Sequence, residues 1–183
     1  MKIINTLNAL IVKTTILLNY VIVIVTYQNM TINTTINILI LKLIFFSMDD
    51  DPHSDEEIIE ILKMKKVAVV GMSKNPDKAA HYVPKYLHEN GYDITPVNPN
   101  ADVILKKQCY DEITDVPDDV DIVDVFRPSD QVLPIIKEAI KKKPKVIWLQ
   151  EGIHNEEAEK LAKDAGIEVV YNRCMLAEHR RLS

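Results

Sequence analysis

Glycine and cysteine are the scarce residues of this chain, with four of the first and two of the second in 183 positions. Cys109 and Cys174 stand far apart, without CxxC spacing or a histidine at ligand distance. That argues against a zinc site and against a secreted disulfide scaffold, and makes a reducing cytoplasm the expected compartment. None of the four glycines forms a G-x-G-x-x-G run. Residues 1–47 lack Asp, Glu and Gly altogether, and their only charges are Lys2, Lys13 and Lys42. All 27 acidic residues therefore fall after that point, against 19 Lys and Arg, a formal charge of −8. Such a surface repels nucleic acid and anionic lipid, so neither is an expected partner. An anionic ligand would have to be held by local dipoles and a few well-placed cations.

The uncharged stretch from Thr14 to Leu41 looks like a membrane span but makes a poor one. Only Ile16–Val25 is densely apolar, Asn19 interrupts it, and Gln28–Thr35 is polar. A span needs about 20 mainly apolar residues. No Ala-x-Ala cleavage site follows, so a secretory signal is poorly supported as well. The Ile, Asn, Lys, Leu and Thr bias fits a chain start placed too early, with Met48 as the alternative start. A membrane anchor and a disordered or partner-binding tail are the competing readings. The division expected is an atypical segment over 1–47 and a single domain over 48–183.

Ser54-Asp55-Glu56-Glu57 has the form of a capping box and precedes Ile58, Ile59, Ile61 and Leu62, which predicts a short helix. Lys66–Val70 is an unbroken apolar run ending at Gly71, the signature of a central parallel strand buried on both faces. The pattern then alternates. A helix is predicted over 78–89, strand 2 over 92–97, strand 3 over 120–126, a helix over 130–142 and strand 4 over 145–149. A helix capped by Asn155 and strand 5 over 167–171 complete it. Strands and helices in alternation with short connections predict an α/β fold: a Rossmann-like, doubly wound, parallel five-stranded sheet in a single domain. The expected strand order is 3-2-1-4-5, which places a ligand beyond the strands' C-terminal ends at the switch between strands 1 and 4.

The strand ends are accordingly the positions to read. After strand 1, Gly71 lets the backbone approach a phosphate, Ser73 offers a hydroxyl, and Lys74 and Lys78 offer charge at a helix N-terminus; a tight turn with solvated lysines is the plain alternative. After strand 2, Pro96, Val97 and Asn98 form a stiff turn that could serve as a rim, and the acid that takes a ribose in NAD sites is missing. Strand 3 ends in Phe126-Arg127, an aromatic to stack on a base and a guanidinium to pair with phosphate, unless Arg127 simply pairs with Asp130. Strand 4 leads to Gln150, Gly152 and Ile153, with Trp148 assigned to the core. Strand 5 leads to Asn172 and Cys174, where Arg173 and the more distant Arg180 could favour the thiolate. His179 reads as a surface residue of a C-terminal tail.

Val69–Lys78, Pro96-Val97-Asn98-Pro99, Val123–Arg127, Trp148–Gly152 and Asn172–Met175 together resemble the small stand-alone CoA-binding domain proteins. These are similar to the N-terminal domain of the succinyl-CoA synthetase α subunit and of ADP-forming acyl-CoA synthetases. The resemblance runs from about Glu56 to the C-terminus. It implies coenzyme A as cofactor, with phosphates on the Gly71–Lys78 loop. The adenosine end would lie near Pro96–Asn98 and Phe126-Arg127, and the rest of the ligand against Gln150–Ile153 and Asn172–Cys174. It carries over no catalytic residue, since none of the five histidines matches the phosphorylated one of the synthetases. The function expected is binding of CoA or an acyl-CoA by a non-catalytic module. The alternatives are a subunit of a split acyl-CoA synthetase and an NAD(P)-binding protein, and a homodimer remains open.

Overall fold

The computed structural model of the chain describes residues 51–183. The expectations for residues 1–47 lie outside the described residues. No helix among the described residues is long and apolar enough to cross a membrane.

Helix α1 (Asp55–Leu62) starts as its sequence dictates: Glu57 N–H donates to Ser54 Oγ, and Ser54 N–H to the Glu57 carboxylate. Strand β1 (Lys66–Val70) follows, then α2 (Ala79–Glu89) and β2 (Asp93–Val97). A hairpin of β3 (Val103–Ile104) and β4 (Lys107–Gln108) comes next, and then β5 (Ile122–Val125), α3 (Val132–Lys142) and β6 (Val146–Leu149). The chain ends in α4 (Glu156–Asp164), β7 (Glu168–Val170) and α5 (Met175–Leu182).

The five long strands form one parallel sheet in the order β2-β1-β5-β6-β7. This corrects the expected order, which placed the third strand beyond the second. Pro96 gives the physical reason. Its carbonyl accepts Tyr110 N–H on the side of β2 facing away from β1, and it has no N–H of its own to offer there. Proline is confined to such edges. One bridge between Val97 and Tyr110 closes that edge, and the chain crosses to the free side of β1 before β5 forms. The topological switch therefore lies between β1 and β5.

Alternate residues of each strand build two cores. Val67, Val69, Ile122, Val146 and Trp148 cluster with Ile58 and Ile61 of α1, Val83 and Leu87 of α2 and Met175 of α5. Ala68, Val70, Val123, Val125, Ile147 and Leu149 cluster with Val132 and Ile136 of α3 and Ala158 and Ala162 of α4. A sheet covered on both faces needs apolar residues at every strand position, hence the unbroken runs in the sequence.

Candidate functional site

The first turn after β1 is built around a missing side chain. Gly71 has φ +85°, and a Cβ there would lie 2.7 Å from Phe126 O and 3.0 Å from Arg127 Nε. The Arg127 side chain thus lies directly over the glycine. It is half-buried and has no hydrogen-bond or ion-pair partner among the described residues; the expected alternative pairing with Asp130 is not made.

The Gly71–Lys78 loop is held from three sides. Gly71 N–H donates to Val97 O (2.9 Å), and Asn98 Nδ2 donates to Met72 O (2.7 Å). Ser73 N–H donates to Ala80 O (3.0 Å). That carbonyl is available because Pro84, four residues on within α2, has no N–H to fill it. Within the loop, Ser73 Oγ accepts Asn75 N–H and Asn75 Oδ1 accepts Asp77 N–H. Lys74 and Lys78 are exposed and unpaired among the described residues. Lys78 is the N-cap of α2 but supplies no side-chain cap. The N–H groups of Ala79 and Ala80 find no acceptor among the described residues. An open helix N-terminus of this kind favours anions.

Beside this terminus lies a cavity of about 440 Å³. Of the residues predicted from sequence, Phe126, Arg127, Gln150, Ile153 and Cys174 line it. Ala79, Ala80, Tyr82, Val83, Pro128 and Glu151 also line it and were not predicted. The α2 residues could have been found from the rule that the helix after the first strand opens on the ligand. Gly71 lies beneath Arg127, while Ser73, Lys74 and Lys78 stand on the adjoining loop. Pro96 and Val97 are buried in β2, leaving Asn98 as a tie rather than a lining group. Gly152 and Asn172 brace one another, Gly152 N–H donating to Asn172 Oδ1 at 2.9 Å. A second hollow of about 300 Å³, bordered by Leu62, Lys65, His179 and Leu182, holds none of the predicted residues.

Gln150, which lines the cavity, belongs to a buried polar pair. Gln150 is 4 % exposed; its Nε2 donates to Asp124 Oδ1 (2.8 Å) and its Oε1 accepts Met175 N–H (3.3 Å). Asp124 is fully buried, with Oδ2 unpartnered, and burial pushes its carboxyl up to about 7. Cys174, half-buried, is the N-cap of α5. The cations expected to favour its thiolate are engaged elsewhere: Arg173 binds Asp51, and Arg180 stacks over Tyr86 at 4.8 Å. Cys109 lies outside the cavity with its thiol pushed up by burial. His179 is not on a free tail. It belongs to α5, its ring edge-on to Tyr86 and Tyr92, and burial lowers its pKa.

An open five-stranded parallel sheet covered by helices on both faces, with a cavity at its switch point, defines an α/β domain of the Rossmann-like class. The particular family is fixed by comparison with known proteins: the chain belongs to the CoA binding domain family, which matches residues 65–180. An uncharacterized protein of Bacillus subtilis, YneT, is 38% identical over 127 residues, spanning 69% of this chain and 94% of its own. A hypothetical protein from Pyrococcus horikoshii superposes with a TM-score of 0.71 at 45% identity, covering 72% of this chain and 94% of that one. An ADP-forming acetate–CoA ligase of Archaeoglobus fulgidus is 35% identical over 109 residues, which is 58% of this chain but only 16% of the ligase.

Proposed function

We propose that this chain binds coenzyme A or an acyl-CoA in the 440 Å³ cavity, as a binding module without catalysis of its own. The observation that carries the reading is the juxtaposition of a half-buried Arg127, unpaired among the described residues, with the open N-terminus of α2 on one cavity, in a domain that is otherwise acidic. Both attract a pyrophosphate, and little else in a −8 domain does. In this reading Gly71, Ser73, Lys74 and Lys78 receive the phosphates. Phe126 borders the adenosine end, with Pro96, Val97 and Asn98 as the stiff turn behind the loop; Gln150, Ile153 and Cys174 border the pantetheine arm, on a rim braced by Gly152 and Asn172. The near-complete coverage of YneT supports a stand-alone module. The match to one-sixth of a ligase favours, as a second reading, a subunit that docks with separate ligase domains.

Calorimetry with CoA, NAD and NADP side by side tests the proposal. CoA should bind and the dinucleotides should not. Arg127→Ala should weaken CoA by about 1.5–3 kcal/mol, the range for a hydrogen bond to a charged group, with the fold retained. Lys78→Ala should act in the same direction and less. Unchanged affinity in Arg127→Ala removes that residue from the site.

A further inference from the structure

Upstream of the residues that match the family, a short strap is tied into the rim of the cavity. The Asp51 side chain is fully buried. Its Oδ2 accepts Tyr171 N–H (2.9 Å), while Oδ1 accepts His53 N–H (3.0 Å) and faces His53 Nδ1 (2.7 Å) and Arg173 Nε (3.2 Å). Arg173 closes the loop from the other side, its guanidinium donating to the carbonyls of Asp51 (3.0 Å) and His53 (2.7 Å). Its own carbonyl accepts Trp148 Nε1 (2.7 Å), and Glu178 of α5 stands 3.6 Å from its Nη1.

Arg173 lies between two residues of the proposed site. Asn172, at φ +53°, holds Gly152 N–H, and Cys174 lines the cavity. A left-handed asparagine is a strained conformation that persists only where its surroundings fix it. The strap supplies that constraint on one side and Trp148 on the other. We propose that Asp51 is a positioning residue for the ligand cavity, acting through Arg173 to hold the Asn172–Cys174 rim. The proposal rests on reading this cavity as the ligand site. It concerns residues that lie before position 65, where the family match begins.

Charge makes the clasp dependent on pH. The groups facing His53 are Asp51 on the strap, Glu168 of β7 at 3.2 Å from Nε2, Glu57 of α1, and Arg173, whose guanidinium meets the His53 carbonyl. The hydrogen bond to Asp51 raises the His53 pKa, against the opposing effect of burial. Burial would push Asp51 up, but its hydrogen bonds from His53 and Tyr171 outweigh that and hold it below 3.8. The charged clasp is therefore complete below the ordinary histidine value and loosens as pH rises through the raised one. At the acid end it fails as pH falls through Asp51's lowered value.

The test uses the full chain with Cys109→Ser as background, so that Cys174 is the one thiol. Three quantities are measured for the background, Asp51→Asn and Asp55→Asn: CoA affinity by calorimetry under reductant, the thermal midpoint, and the rate of Cys174 alkylation by iodoacetamide without ligand. Asp55→Asn removes the exposed Asp55–Arg181 pair while leaving Asp51, His53 and Arg173 in place, and serves as the stability control. Asp51→Asn should raise the CoA Kd about 3- to 30-fold, the range for mutations that act through a packed network, and accelerate alkylation. Asp55→Asn should change neither. A fall in the midpoint of Asp51→Asn with background Kd and alkylation rate would make Asp51 a brace for the fold and overturn the proposal. If CoA does not bind the background protein, the preceding reading fails, and the alkylation rates alone decide the clasp. If Asp51→Asn does not fold, His53→Gln decides. The clasp predicts that CoA affinity in the background protein falls as pH rises from the ordinary histidine value through the raised one, more steeply than in His53→Gln. Identical slopes overturn it.

Discussion

At Gly71 the fold needs the absence of a side chain for two reasons. A φ of +85° costs any L-residue, and a Cβ would stand 2.7 Å from a backbone carbonyl that cannot swing away. Gly71→Ala should therefore destabilise by about 2–4 kcal/mol, the diagnostic range for backbone strain plus a steric clash. Gly166→Ala, at φ +81° but with open space around it, should cost only about 1–2 kcal/mol. Denaturant unfolding of the two variants compares them, and equal losses would show that the close approach of Arg127 and Phe126 is not rigid. Asp124 is the other residue whose environment dictates a measurement. Burial raises its carboxyl from 3.8 to about 7, so the folded state holds the proton more tightly than the unfolded chain. Its contribution to stability is fully present below 3.8 and is lost as pH rises towards 7. Asp124→Asn should accordingly gain stability relative to wild type through that window and hold a constant difference above it. Thermal midpoints from pH 4 to 8.5 that stay parallel would show that Asp124 is ionised in the fold at no cost. The sequence displayed Arg127 and Gly71 because they stand at strand ends. It hid Asp124, a single acid within an apolar strand, whose partner Gln150 becomes visible only when β5 and β6 are paired.

Among the elements, the helices and central strands were legible because each carries its own signal. Ser54 and Glu57 close the capping box that their spacing announces, and Asn155 caps α4 by accepting Ala158 N–H. The strand order was not, since it depends on which edge the third strand finds; Pro96 could have supplied it, because a proline on the outer side of strand 2 marks an edge. The β3–β4 hairpin was also missed. Its turn residues Leu105 and Lys106 adopt φ +51° and +62°, with none of the Asn-Gly chemistry that marks such turns. Lys106→Gly should therefore stabilise the turn, by about 0.5–1 kcal/mol. Pro84 shows how an apparent helix breaker can serve a loop. By leaving Ala80 O free it gives Ser73 N–H its acceptor. In Pro84→Ala the restored helical N–H competes for that oxygen. The expected outcome is a helix as stable as before or more so, loss of hydrogen-exchange protection at the Ser73 amide, and weaker CoA binding. Retained protection at Ser73 would mean that Asn98, Gly71 and the contact of His81 Nδ1 with Ser73 O hold the loop without the Ala80 bond.

On the scale of the whole molecule, the composition break near residue 48 and the strap at Asp51–His53 make separate demands on where a functional domain can begin. All four glycines, the capping box and both cores lie after Met48. A chain begun at Met48 is therefore expected to fold cooperatively and bind CoA as the full chain does. A chain begun at Ser54, behind an initiating methionine, keeps α1 and the buried Ile58, Ile61 and Leu62 but removes Asp51 and His53. Tyr171 N–H and the Arg173 guanidinium then lose their strap partners, leaving Arg173 paired with Glu178 alone among the described residues. Stranding one partner of a buried charge pair is costly even where forming the pair gains little. The Ser54 chain should thus show a lower thermal midpoint and an affinity matching that of Asp51→Asn, because both remove the same constraint on the rim. Circular dichroism melts and calorimetry on the two chains make the comparison. A Met48 chain that fails to fold would assign a structural role to residues 1–47 and move the domain boundary upstream. A Ser54 chain that binds as tightly as the Met48 chain would show that Trp148 and Asn172 fix the rim without help from the strap.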